Sequence, residues 1–124
     1  MTPAALRPLL LRCDAAAPAC ARPALVVALR SLDGDASVPV LRDAAADLRA
    51  AYERIAPPRV GHVRTAREAH GDRFRAPWCD PCDDPAELRP LAACVAAVYA
   101  VEALATGERE SRVEHYQRAA EGWL

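Results

Sequence analysis

The stretch Leu91-Ala92-Ala93-Cys94-Val95-Ala96-Ala97-Val98-Tyr99-Ala100-Val101 carries no charge and shows no polar face at helical spacing. The apolar character runs on to Leu104, broken only by Glu102, and Thr106-Gly107 ends it. A helix that is hydrophobic all round must be enclosed by other elements. At this length it is too short for a membrane span, which needs about twenty apolar residues. It is therefore the central helix, about residues 90–105, of a compact all-α bundle of five or six helices.

Composition agrees with that reading. A chain of 124 residues with 52% hydrophobic and 27% charged residues is one soluble globular domain, residues 1–124, rather than a disordered chain. Aromatics reach only 5%, so alanine and leucine supply most of the core, which favours helices over a sheet. All 16 basic residues are arginine, the mark of a bacterial-like high-GC composition. A net charge of −1 gives no global steering toward nucleic acid or an acidic membrane surface. Leu9-Leu10-Leu11 is cut by Arg12 and Asp14 and makes a poor signal-peptide core. A cytoplasmic location follows, where thiols stay reduced unless catalysis or a metal uses them. Five cysteines, an odd number, fit poorly with a secreted disulfide framework.

The flanking helices are read outward from the centre. The last one, about residues 108–121, places Val113, Tyr116, Ala120 and Trp123 on one stripe and forms a hairpin with the central helix. The cleanest amphipathic signal follows Ser37, a predicted N-cap, with Pro39 in the first turn. There Leu41, Ala44, Ala45, Leu48, Ala51, Tyr52 and Ile55 form the apolar stripe, and Pro57-Pro58 stops the helix. Residues 23–32 make a nearly apolar helix ended by Asp33-Gly34. Near the start, Leu6, Leu9, Leu10 and Cys13 share one face, with helix starts offered at Thr2-Pro3 and at Pro8. Cys13 is read as a small core residue, and so is Cys94. The loop at residues 14–19 could bring Cys13 and Cys20 together across a turn, although nothing in the sequence requires it.

Between these helices lies one long irregular loop, about residues 57–84, relieved by a capped short helix at about 66–70. It is the one locally basic stretch, with Arg59, His62, Arg64, Arg67, His70, Arg73 and Arg75. It ends at Trp78-Cys79-Asp80-Pro81-Cys82, followed by Asp83 and Asp84. Asp84-Pro85 reads as a helix N-cap and first position, and Pro90 either kinks that helix or restarts it.

Trp78 to Cys82 resembles the WCxPC motif of thioredoxin-like oxidoreductases. That resemblance implies Cys79 as the attacking thiolate and Cys82 as the resolving thiol. It covers five residues; no hydrophobic strand precedes Trp78, and three aspartates around the pair disfavour a thiolate. The same cysteines suit half of a zinc site, with His70 the best third ligand, which makes zinc the candidate cofactor. Arg64 and His70 have a spacing loosely similar to that of HEPN-type ribonucleases, but Thr65 after the arginine reads as a cap. Glu114-His115 is accounted for by a solvated helix face. No glycine elbow surrounds a serine, and no phosphate-binding glycine loop is present.

The function expected is that of a small non-catalytic accessory or regulatory protein that binds another protein through residues 59–84 and adjacent helix faces. Arg64, Arg67, Arg73, Phe74, Arg75 and Trp78 are the candidate binding surface. Two alternatives stand beside it. One is a thiol-redox or structural-zinc protein centred on Cys79 and Cys82. The other is an RNA-directed protein using the arginine-rich residues 59–75, with Phe74 and Trp78 stacking on bases; the flanking aspartates oppose that use. No membrane is expected as a partner, and self-association is compatible with the sequence.

Overall fold

The structure, a computed structural model, describes residues 3–55 and 88–124. Among them are five α-helices, one short 3-10 turn and no strand: α1 Pro3–Ala16, the turn Ala19–Ala21, α2 Arg22–Leu32, α3 Val38–Ile55, α4 Leu88–Ala105 and α5 Glu110–Trp123. The long loop expected at 57–84, its short helix and the cap at Asp84-Pro85 lie outside the described residues.

α4 is the centre. Every residue from 91 to 98 is buried, as are Ala100, Val101 and Ala103, so burial extends around the whole helix. It touches α1, α2, α3 and α5. Five of its alanines, Ala92, Ala93, Ala96, Ala97 and Ala100, are essentially inaccessible to water, and small contact residues are what allow helix axes to approach closely. Pro90 lies within α4, close to its first described residue, Leu88; the choice between a kink and a fresh start there turns on residues 84–87, which lie outside the described residues.

The neighbours present the stripes read from sequence. Leu6, Leu9, Leu10 and Cys13 of α1, Leu41, Ala45, Leu48, Ala51 and Tyr52 of α3, and Val113, Tyr116, Ala120 and Trp123 of α5 are all buried. α1 passes through Pro8 without restarting. An interior proline costs about 3 kcal/mol, and burial of three leucines at about 1.5–3 kcal/mol each outweighs it. Only one turn precedes Pro8, so little helix is disturbed.

Two helix ends are closed by the same device. Gly34 and Gly107 take positive φ, 80° and 73°. After α2 the Asp35 amide donates to the Arg30 carbonyl (2.8 Å) and the Gly34 amide to Ser31 (3.1 Å). After α4 the Glu108 amide donates to Ala103 (3.0 Å) and the Gly107 amide to Leu104 (3.2 Å). Both are Schellman turns, which satisfy carbonyls that a helix end leaves without partners. Because Glu108 closes the second turn, α5 begins at Glu110 rather than at 108 and continues to Trp123 rather than 121. Ser37 caps α3 as expected, accepting from the Val40 amide at 3.4 Å.

Side-chain contacts give the sense of the helices. Arg7 on α1 pairs with Asp33 after α2. Arg42 early in α3 meets Glu102 late in α4 at 3.6 Å. Arg89 at the start of α4 donates to the Gly122 carbonyl at the end of α5 (2.9 Å) and lies over the Trp123 ring at 5.3 Å. Successive helices therefore run in opposite senses. The end of α1, the start of α2, the end of α3 and the start of α4 gather at one end of the bundle. No helix among the described residues is long and apolar enough to cross a membrane.

Candidate functional site

The candidates Cys79, Cys82, His70, Arg64, Arg67, Arg73, Phe74, Arg75 and Trp78 all lie outside the described residues, so their zinc, redox and binding roles stay expectations. The structure does describe the two anchors of that segment, Ile55 and Leu88, both at the same end of the bundle. Two features stand out there or beside it.

The first is an open groove of about 460 Å³ between α2 and α3. The α2 side consists of Cys20, Pro23, Ala24 and Val27; the α3 side runs along Val40, Asp43, Ala44, Asp47, Leu48, Ala51 and Arg54. Spacings of three and four place each set on one helix face. Ala24, Leu48 and Ala51 are buried in the floor, with Val27 and Ala44 half-buried above them. Alanine at these positions leaves room that leucine would fill. The rim is mixed: Val40 is 49% exposed, and Asp43, Asp47, Arg54 and Cys20 are exposed. Asp43 and Asp47 stand one turn apart, four residues along the same face. Both are exposed, but they also border an apolar trough.

The second feature is a thiol pair. Cys13, Cys20 and Cys94 are free thiols. Cys13 and Cys94 are fully buried, from α1 and α4, and the Cys94 thiol donates to the Cys13 carbonyl at 3.8 Å. The Cys94 side chain lowers the Cys13 pKa, against burial and with help from the Arg12 charge. The Cys13 side chain raises that of Cys94, as burial does. Cys13 thus meets Cys94, 81 residues away in sequence, while Cys20 is exposed. Burial fits the core role expected for both; their pairing had no sequence signal.

The remaining chemistry is sparse. His115 is exposed on α5 and rests edge-on against Tyr116 at 5.5 Å. Tyr116 also stacks on Tyr99 at 5.6 Å and lies under Arg112 at 5.8 Å, a seam that joins α5 to α4. No group of three or more His, Cys, Asp or Glu able to hold a metal occurs among the described residues.

No protein-family model, no curated protein and no solved structure matches the chain.

Proposed function

We propose that the chain is a small non-catalytic accessory or regulatory protein that binds another protein, using residues 59–84 and the adjacent α2–α3 face. The observation that supports this reading is the α2–α3 groove. It is long, open and apolar at its floor, with no convergent set of polar groups of the kind that orients a small substrate. Two parallel rows of small side chains suit an amphipathic helix laid lengthwise, one of the recurrent modes of peptide recognition. Asp43 and Asp47 select its chemistry: a partner helix with arginine or lysine one turn apart beside its apolar stripe. Charges at such a rim act chiefly on specificity and association rate, and the apolar floor supplies most of the binding energy.

Capture from the native host tests this with three forms of the full chain. These are the unaltered protein, Asp43→Arg/Asp47→Arg, and Ala44→Tyr, which fills the groove. The expected result is a partner held by the unaltered protein and lost by both variants, with helical circular dichroism preserved. The charge-reversed form should also show a changed salt dependence. Equal capture of the same proteins by all three forms would remove the groove from the binding surface.

A further inference from the structure

Cys13 and Cys94 are not an ordinary pair of small core residues. They come from different helices, and both are fully buried free thiols. The Cys94 sulfur also reaches the Cys13 carbonyl. Cys13 lies in the last turn of α1, which ends at Ala16. Neither thiol is exposed in the closed bundle; helix ends open locally at lower free energy than the core, and opening of this turn would bring the pair to solvent. Neither thiol lines the α2–α3 groove.

We propose that Cys13 and Cys94 form a redox site that closes to a disulfide by exchange with a low-molecular-weight disulfide of the glutathione class, tying α1 to α4. In the first step the Cys13 thiolate attacks one sulfur of the small disulfide RSSR. The S–S bond breaks, and the released RS⁻ takes a proton to become RSH. In the second, Cys94 loses its proton and its sulfur attacks the Cys13 sulfur of the mixed disulfide. A second RS⁻ leaves and is protonated. The protein loses two electrons and two protons, and RSSR is reduced to two RSH. Thiol–disulfide exchange runs through the thiolate. The Cys94 side chain and the Arg12 charge both favour that form at Cys13, and Cys13 lies at the helix end that opens; together these make Cys13 the attacking residue and Cys94 the resolving one.

The test uses the unaltered full chain, equilibrated without denaturant in reduced and oxidised glutathione at graded ratios, then alkylated. Cleavage on the amino side of aspartate places each of the five cysteines on its own peptide. The expected product is peptide 1–13 joined to peptide 84–124 with the loss of two hydrogens, increasing with the oxidised fraction and reversed by dithiothreitol. The proposal is overturned if Cys13 and Cys94 are recovered separately alkylated at every ratio. It is equally overturned if either is joined to Cys20, Cys79 or Cys82 instead.

Discussion

Glu102 shows how one charge is tolerated on the helix that forms the core. Its side chain is only 21% exposed on α4, and Arg42 approaches to 3.6 Å from α3. Burial nevertheless raises its pKa, the like charge of Glu108 adds to this, and the Arg42 and Arg112 cations offset it only in part. An acid whose pKa is higher folded than unfolded holds its proton more tightly in the native state. Its favourable contribution is complete below the unfolded value and is lost as pH rises through the folded one. Glu102→Gln keeps the shape of the protonated acid and removes that loss. The variant is therefore expected to match the parent in stability at acid pH, below about pH 4, and to exceed it at neutral pH. Urea unfolding across that range checks this; two parallel curves would mean that the carboxylate is not the source. At this scale the sequence is informative about burial and poor about pairing. Cys13 and Cys94 read as core cysteines from their apolar neighbours, yet nothing local says that residues so far apart in the chain meet. Asp43 and Asp47 fall off the apolar stripe of α3, and period alone does not distinguish a free surface from the lip of a trough.

Elements were largely legible, because apolar period and cap chemistry act locally. The α3 stripe, its Ser37 cap and the glycine at the end of α2 follow from residues within a turn or two of each boundary. The misjudged details have local causes as well. A Schellman turn at Gly107 uses the Glu108 amide, which delays α5, and the leucine face of α1 carries the helix through Pro8. α1 also offers a sharp contrast between neighbours. Leu10 is fully buried, whereas Leu11, one residue on, is 54% exposed. Leu10→Ala is expected to cost about 2–5 kcal/mol, and Leu11→Ala about 0.5 kcal/mol or less. Chemical denaturation of the two variants measures the difference directly, and comparable losses would place the α1 face in the wrong register.

The described residues form a set of helices arranged so that residues 91–98 of one apolar helix are kept from water. That arrangement follows from α4: an alanine-rich cylinder with no polar face recruits α1, α2, α3 and α5 around itself. Each of those helices then needs only one apolar stripe and keeps its charges outside. The α2–α3 groove is a by-product of the same economy, since small residues that suit close packing at the centre leave shallow space at the periphery. Beyond the α4–α5 hairpin, how the helices are disposed around α4 was not legible from the chain, because it depends on contacts between stripes that look alike in isolation. Native-state amide hydrogen exchange tests the enclosure of α4 most directly. Residues 95–101 are expected to be the slowest to exchange, opening only with global unfolding and with its full denaturant dependence. Exchange there as fast as in the middle of α3 or α5 would contradict it.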